Sequence, residues 1–268
     1  MNNNENTGNQ EVIQRLKSAE TLYALYSTCT REPYVVCDPE TFDDEILMFF
    51  SPSDVQAEAK RLTEAGIPVS ITRLEQKQML MFYTRLYTMG INALLVKEGE
   101  STALIQLADF VRRNPPKPDP SNNMWVENPS LHLTALYYMQ ELRRKPGQEE
   151  ENPQIREWQE EISNYFTKGT FIAAVEKEGK GVPIVKLNDN EMYQAIFTDM
   201  MEFQKFNQED RLRPVIVSAN RIPKILVAEA SGVLLNPMGV RMPLQVKRAE
   251  QPTEGAQAET AEAETTES

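Results

Sequence analysis

The sequence predicts an α+β fold made of two tandem copies of a small mixed-sheet domain, each of the order ββαβαβ, with connecting helices. The prediction rests on similar elements that recur at a nearly constant offset. Residues 68–71 and 214–217 both have strand character and start 146 positions apart. Phe50 and Phe197, each followed by a helix-start signal, lie 147 positions apart. An initial hairpin and too few helices for a doubly wound parallel sheet favour the α+β class.

The first copy is expected at residues 10–113, after a disordered, Asn-rich lead of residues 1–9. Apolar residues at three- to four-residue spacing, from Val12 to Tyr26, predict a leading helix. Runs of β-branched and aromatic residues predict strands, and capping signals predict the helices between them. The expected strands are 34–37, 46–50, 68–74 and 92–96, with helices over 51–66 and 76–89, and a short strand or helical turn over 104–111.

A proline-rich run favours extended chain, so residues 114–130 are expected to form a linker between the copies. The second copy then occupies residues 131–248 and begins with two helices, from Leu131 and from Gln154. Its expected strands are 171–175, 182–187, 193–197, 213–218, 233–235 and 240–244, with helices from Thr198 and over 221–228. Residues 249–268, rich in Glu, Ala, Thr and Gln, are expected to form a disordered acidic tail.

The composition argues against several classes of protein. Six glutamates in residues 249–268 account for half of the formal charge of −12, so the body is only moderately acidic. Nucleic acid and anionic lipid are bound through basic patches, so neither is an expected partner. No apolar run reaches the ~18 residues that cross a bilayer, and no signal-peptide features follow Met1, so the cytoplasm is the expected location. Cys29 and Cys37 are expected to be reduced thiols.

No residue pattern predicts catalysis, a metal or a cofactor. His132 is the only histidine and begins a helix, so a surface or helix-end role is favoured over a nucleophile–base pair. One histidine and two cysteines cannot form a four-ligand zinc site without carboxylates. The acidic runs 43–45 and 149–151 flank turns, where carboxylates are usually solvated.

Two short motifs in the second copy, residues 197–199 and residues 236–239, form the candidate interaction or structural site. The first is expected to end a core strand and to cap the next helix through its Thr or Asp side chain. The second has the chemistry of a tight turn, with Asn opening it, Pro fixing φ and Gly closing it. A turn at the end of a sheet can also present a recognition surface, and both roles stay open. The residues concerned are Phe197, Thr198, Asp199, Asn236, Pro237 and Gly239.

A stripe of apolar and aromatic residues runs along the predicted helix 76–89. Met79, Phe82 and Leu86 recur at helical spacing and are expected in the core. Tyr83 and Tyr87 extend the same stripe. A part of it left exposed would favour the binding of a partner.

The second copy resembles the N-terminal domain of the SseB family, which includes a bacterial protein linked to enhanced serine sensitivity. The resemblance covers residues 171–244 and is carried mainly by the Phe-Thr-Asp and Leu-Asn-Pro segments described above. Residues 34–111 resemble the family more weakly. The resemblance implies a small α+β domain and offers no catalytic residues to carry over.

The expected function is that of a non-enzymatic cytoplasmic protein-interaction or regulatory module with a protein partner. The recurring scaffold, the lack of a catalytic pattern and the acidic tail favour it. The alternative is a sensor of an amino acid or metabolite, or an uncharacterised enzyme, with its site in the cleft between the two copies.

Overall fold

The computed structural model describes residues 2–113, 125–147, 152–179, 181–188 and 191–249, with side chains from Gly8 onward. Residues 114–124 of the expected linker, 250–268 of the expected tail, and the acidic run 149–151 lie outside the described residues. The described chain forms helices and two mixed sheets of six strands each, which confirms the predicted α+β class. We refer to residues 2–113 as the first half and to residues 125–249 as the second half.

The first half contains one sheet and four helices. Its strands are β1 (Thr21–Ser27), β2 (Val35–Cys37), β3 (Asp44–Phe49), β4 (Val69–Glu75), β5 (Ala93–Glu98) and β6 (Ser101–Gln106). Its helices are α1 (Asn2–Ser18), α2 (Pro52–Glu64), α3 (Gln76–Thr88) and α4 (Leu107–Phe110). The strand order is β4-β1-β3-β5-β6, and the short β2 also pairs with β3. Only β3 and β5 are parallel, and the other described strand pairs of this sheet are antiparallel.

The second half begins with two helices and continues into the second sheet. Its helices are α5 (Pro129–Arg144), α6 (Pro153–Lys168), α7 (Met200–Phe206) and α8 (Ile222–Ile225). Its strands are β7 (Thr170–Glu176), β8 (Ile184–Lys186), β9 (Met192–Phe197), β10 (Leu212–Ser218), β11 (Gly232–Leu235) and β12 (Met242–Gln245). The strand order is β10-β7-β9-β11-β12, with β8 pairing with β9.

The two sheets have the same topology, strand for strand. In each sheet the third strand along the chain pairs with the first two and lies parallel to the fifth. In each, a capping residue follows that third strand and starts a helix, at Ser51 before α2 and at Asp199 before α7. This agreement is the structural counterpart of the elements that recur in the sequence. The common origin of the halves stays a prediction.

The start of the chain differs from the sequence prediction. The sequence predicts a disordered lead over residues 1–9, whereas α1 is helical from Asn2. Leu16 is fully buried, and Val12 and Ile13 pack against the same core. The Asn9 side chain adds a hydrogen bond of 3.2 Å to the carbonyl of Leu104. Once this end of the helix is anchored, each added residue gains a backbone hydrogen bond at little further cost in nucleation.

The leading helix also ends earlier than its apolar spacing predicts. It stops at Ser18, and Tyr23 and Tyr26 belong to strand β1. This strand pairs with β4 over its whole length and with β3 at its centre. Buried Leu22 and Ala24 alternate along it. Pairing on both sides in the sheet therefore outweighs the helical spacing of the tyrosines.

The two halves share one hydrophobic core. The largest buried cluster takes Met48 of β3 and Leu86 of α3 from the first half. It takes Leu136 of α5 and Val233 of β11 from the second half. Each half also has a smaller cluster of its own, under α2 in the first and under α7 in the second. One face of each sheet thus packs under its own helix, and the other contributes to the common core.

Candidate functional site

Helix α5 links the halves through side chains near its C-terminal end. Arg143 donates from Nη1 to the carbonyls of Cys29 and Val240, at 2.7 and 3.0 Å. Its Nη2 donates to the carbonyl of Arg241 at 2.6 Å. The Gln140 amide pairs with both the N–H and the C=O of the first residue of β2. One helix therefore ties the loop after β1, the strand β2 and the turn before β12 together.

The predicted motif residues Thr198, Asp199 and Asn236 meet in a buried polar network. Asn236 Oδ1 accepts from the backbone N–H of Thr198 at 3.0 Å, and its Nδ2 donates to Thr198 Oγ1 at 2.9 Å. The Thr198 hydroxyl in turn donates to Asp199 Oδ2 at 2.8 Å. Phe197, the residue before them, is fully buried and packs edge-on against Phe203 of α7.

His132 completes this network, although the sequence predicts a surface or helix-end position for it. It is fully buried on the core face of α5. Its Nδ1 lies 3.3 Å from Thr198 Oγ1 and 3.8 Å from Asp199 Oδ2, and its Nε2 lies 3.4 Å from Asn236 Nδ2. Because the Asn236 amide can only donate to Nε2, the ring proton is assigned to Nδ1. The second half supplies the polar partners that allow this histidine to be buried.

The chemistry of this polar network is structural. The Thr198 hydroxyl donates its hydrogen bond to Asp199, and His132 presents an N–H rather than a lone pair to that hydroxyl. His132 therefore cannot act as the base that would turn Thr198 into a nucleophile. Thr198 and Asn236 are fully buried, and Asp199 is 1% exposed. No substrate can reach these atoms without opening the core.

Asp199 is the residue that starts α7. Its Oδ1 accepts from the backbone N–H groups of Met201 and Glu202 at 2.8 and 3.0 Å. Burial by itself raises the pKa of Asp199. Hydrogen bonds from the side chains of His132 and Thr198 and from the backbone N–H of Glu202 outweigh burial and lower the pKa below its ordinary value. The carboxylate is therefore ionised at neutral pH and caps the helix.

A buried ionic cluster lies beside the network and joins the halves. It consists of Glu32 and Arg85 from the first half and Glu202 and Lys205 from the second. Arg85 Nη2 lies 3.2 Å from Glu32 Oε2 and 3.4 Å from Glu202 Oε1. Lys205 Nζ lies 3.3 Å from Glu202 Oε1 and also contacts Glu32. Both carboxylates are almost completely buried, so these pairings lie in a region of low polarity. Two of them, Arg85 with Glu202 and Lys205 with Glu32, cross between the halves.

Burial and mutual repulsion dominate the electrostatics of this cluster. Burial raises the pKa of Glu32, and the nearby charge of Glu202 raises it further, against the lowering effect of Lys205 and Arg85. Burial also raises the pKa of Tyr26, beside the cluster, to about 12. Glu202 Oε2 is buried and has no hydrogen-bond partner within the part of the chain that the structure describes. The cluster therefore holds two acids and two bases in close contact, with one acceptor left unpaired.

The predicted turn lies directly over the ionic cluster. Asn236 adopts a left-handed conformation with φ of 47°, and its carbonyl accepts from the Gly239 N–H at 2.9 Å. Pro237 is buried within the turn. A Cβ atom built on Gly239 would lie 2.8 Å from Glu202 Oε2 and would also collide with Glu32. Gly239 is thus required by the close approach of the turn to the carboxylates.

Of the six predicted motif residues, Gly239 meets the first half directly at Glu32, and Thr198, Asp199 and Asn236 form the polar network beside this contact. Pro237 lies in the same turn as Gly239, whereas Phe197 packs in the cluster of the second half alone. The sequence did not identify the ionic cluster, or His132 as part of the network. Glu202 and Lys205 are spaced as neighbours on one helix face. Nothing in the sequence links them to Glu32 and Arg85, more than a hundred positions earlier.

A cleft opens to solvent above the start of α7, between the two halves. This junction cleft has a volume of about 380 Å³. Its lining includes Tyr87, Arg113, Trp125, Met200, Met201 and Gln204. Trp125 is 53% exposed, and the Arg113 guanidinium lies 5.3 Å from its ring centroid and 5.7 Å from that of Tyr87. Arg113 also forms an ion pair with Glu127.

Two features are absent from the part of the chain that the structure describes. Within the described ranges, no group of three or more His, Cys, Asp or Glu residues is placed to hold a metal ion. None of the described helices is both long and apolar enough to cross a membrane. Cys29 and Cys37 are free thiols; Cys29 is half-buried and Cys37 is exposed at the end of β2.

Comparisons with known proteins give two structural likenesses. No family model matches the chain, and no curated protein matches it. A solved structure titled Anabaena Tic22 (protein transport) is 13% identical, with 79% of this chain and 83% of that chain covered and a TM-score of 0.21. Tic22 from Plasmodium falciparum is 11% identical, with 79% and 84% covered and a TM-score of 0.22. Likenesses this distant carry no argument about function.

Proposed function

We propose that this protein is a non-enzymatic cytoplasmic interaction or regulatory module, SseB-like in its second half, that binds a segment of a partner protein in the junction cleft. The observation that carries the proposal is Trp125, a large aromatic side chain more than half exposed at the mouth of this cleft. Tryptophan and arginine are the residues most enriched among those that dominate binding energy at protein interfaces. Trp125 and Arg113 supply both, in contact with each other.

The lining of the cleft indicates what the partner segment carries. Met200 and Met201 are half-buried on one wall, and methionine adapts its shape to an apolar side chain. Arg112, an exposed residue of the same lining, has no ion pair among the described residues. An unpaired cation on a chain of net charge −12 favours an anionic group. The occupant that fits is a segment with a large apolar residue next to an acidic one.

The junction contacts support this role because they fix the cleft before a partner arrives. One wall belongs to α3 and the other to α7. The ionic cluster joins these two helices, and the polar network caps α7. Walls held in place in the free protein reduce the ordering cost of binding.

Site-specific photo-crosslinking in native cells tests the proposal. A photoreactive residue replaces Gln204, which is exposed in the cleft. The control position is Phe42, which is 75% exposed and does not line the cleft. We expect one reproducible protein adduct at position 204, its loss on Trp125→Ala, and no such adduct at position 42.

Affinity for the identified segment is then measured with Trp125 as the reporter. The chain has two tryptophans, so Trp158→Phe leaves Trp125 as the only tryptophan, and excitation at the red edge of its absorption avoids the tyrosines. Binding in the cleft should shift its emission to shorter wavelength, and a charge-reversing Arg112→Glu should weaken binding. Equal adducts at positions 204 and 42, or binding without a change in Trp125 emission, would contradict the proposal.

A small-molecule sensor that uses the same cleft is the second candidate. The volume of the cleft lies in the range of small-ligand sites, and Thr84, Thr88 and Gln204 supply polar groups. A ligand that binds only the folded state would raise the melting temperature, because it stabilises that state by RT ln(1 + [L]/Kd). In a screen of amino acids and nucleotides, a shift that Trp125→Ala abolishes would favour the sensor over the interaction module.

A further inference from the structure

A second pocket lies within the first half, between the end of α1, the start of α3, and α4. It has a volume of about 340 Å³, and we call it the Tyr83 pocket. Its lining includes Leu16, Lys17, Met79, Tyr83, Phe110 and Arg112. Val111 and Arg112 also line the junction cleft, so two adjacent residues separate the two hollows.

The hydroxyl of Tyr83 is the unusual feature of this pocket. The side chain is 3% exposed, and its hydroxyl has no hydrogen-bond partner among residues for which the structure gives positions. The ring is fixed edge-on against Phe82 at 5.5 Å and against Phe110 at 4.6 Å. Burial raises the pKa of Tyr83, so the hydroxyl keeps its proton and remains a donor. Buried tyrosine hydroxyls normally find a partner, so a donor without one indicates that an acceptor is missing.

The rim of the pocket carries positive charge. Lys17 and Arg112 are both exposed there, and neither forms an ion pair with any described residue. The Lys17 ammonium lies 5.7 Å from the centroid of the Phe110 ring, at the edge of the apolar lining. Two unpaired cations beside a buried donor select an anionic acceptor over a neutral or cationic group.

We propose that the Tyr83 pocket binds a small apolar carboxylate, of the chemical class of a medium-chain fatty acid. Its hydrocarbon body packs against Met79, Leu80 and Phe110. Its carboxylate accepts from the Tyr83 hydroxyl and faces Lys17 and Arg112. The volume lies near the lower end of the range for ligand sites, which fits one chain rather than a two-chain lipid. The inference goes beyond the proposed function, because this site lies in one half and needs no partner protein.

Calorimetric titration of the full chain with three amphiphiles tests the inference. Decanoate, decanol and decyltrimethylammonium share one hydrocarbon chain and differ in the charge of the head group. The two ionic amphiphiles are used below the concentration at which they form micelles, and decanol is used below its solubility limit. We expect saturable binding in the order decanoate, decanol, decyltrimethylammonium. Tyr83→Phe removes only the hydroxyl and should weaken decanoate binding about tenfold.

Control variants separate this site from the surface and from the junction cleft. Tyr165→Phe removes a hydroxyl from a partly exposed ring on α6 and should leave decanoate affinity unchanged. Trp125→Ala should also leave it unchanged, so failure here would not affect the proposed function. Circular dichroism confirms that each variant is folded.

Three results would each overturn the inference. They are the absence of saturable decanoate binding, equal affinity for the three amphiphiles, and unchanged decanoate affinity in Tyr83→Phe. If decanoate does not bind and a photoreactive residue at Leu80 captures a protein, the pocket belongs to a partner side chain instead.

Discussion

Gly239 shows how one residue without a side chain lets two halves of a chain meet. Its backbone passes so close to the ionic cluster that a single methyl group would displace the carboxylates of Glu32 and Glu202. Those side chains are buried and paired, so they have little room to move. We expect Gly239→Ala to lower the free energy of unfolding by about 1–3 kcal/mol, as overpacking of a core does.

Urea denaturation measures this cost, with Gly8→Ala as the matched control. A Cβ atom on Gly8 meets nothing within 4 Å, and Gly8 lies in helix α1, where alanine is favoured over glycine. The control should be neutral or slightly stabilising. Equal midpoints for the wild type and Gly239→Ala would show that the turn does not press on the cluster.

Asp199 gives the polar network a defined pH dependence. Its pKa is lowered below the ordinary 3.8, so the folded state binds the proton less tightly than the unfolded chain does. The stabilisation is therefore complete above the unfolded pKa and is lost as pH falls through the folded pKa. Asp199→Asn keeps a capping side chain but removes the charge. We expect this variant to lose about 1–2 kcal/mol in the free energy of unfolding at pH 7. The difference in that free energy between wild type and variant should become smaller below about pH 4.

Urea midpoints measured from pH 7 to pH 2.5 test this sign. Asp109→Asn, at an exposed position in α4, serves as the control and should track the wild type throughout. A gap that widens as pH falls would contradict an ionised Asp199 in the folded state.

At the same scale, local chemistry made some roles predictable and left others hidden. Cap and turn chemistry depends on neighbours in sequence, which is why Asp199 and Asn236 could be singled out. The polar partners of His132 come from two separate strand ends, and those of Glu32 from two helices. No local pattern records such long-range pairings, so a buried histidine looked like a helix-end residue.

At the scale of elements, α5 is the helix that connects the sheets. Its Arg143 donates three hydrogen bonds to backbone carbonyls, one in the first half and two in the second. Arg143→Met keeps much of the apolar stem but leaves those carbonyls unsatisfied. We expect a loss of about 2–4 kcal/mol in the free energy of unfolding.

The comparison variant for this loss is Arg156→Met on α6. Arg156 forms an exposed ion pair of 3.6 Å with Glu160, and such pairs contribute little. Chemical denaturation should place Arg156→Met within about 0.5 kcal/mol of the wild type. Similar losses in both variants would mean that α5 does not hold the halves together.

Helices and strands bounded by clear capping or turn residues could be predicted from the sequence, whereas strand β1 could not. Ser51 and Pro52 begin α2 as their capping chemistry indicates, and β7 to β12 lie within a few residues of the expected strands. The first strand was hidden because its two tyrosines continue the helical spacing of α1. Only pairing with β3 and β4, which is tertiary information, decides that this segment is extended.

At the scale of the whole molecule, two sheets of one topology are packed around a single core. The largest buried cluster draws on both sheets and on α3 and α5, and the ionic cluster crosses the same boundary. Separate folding of either half would expose the apolar face of its sheet and leave Glu32 or Glu202 without its partners across the junction. Such a molecule should unfold in one cooperative transition, although its strand order repeats.

Hydrogen exchange on Phe203→Leu distinguishes one cooperative unit from two. Phe203 is buried in the cluster that belongs to the second half alone. The substitution removes packing there and should lower the free energy of unfolding by about 1–2 kcal/mol. If the halves unfold together, the slowest amides of β1 and of β7 must lose protection by the same amount, because both exchange only through global unfolding. If β7 alone loses protection, the shared core does not couple the halves, and the junction cleft would then have walls that move independently.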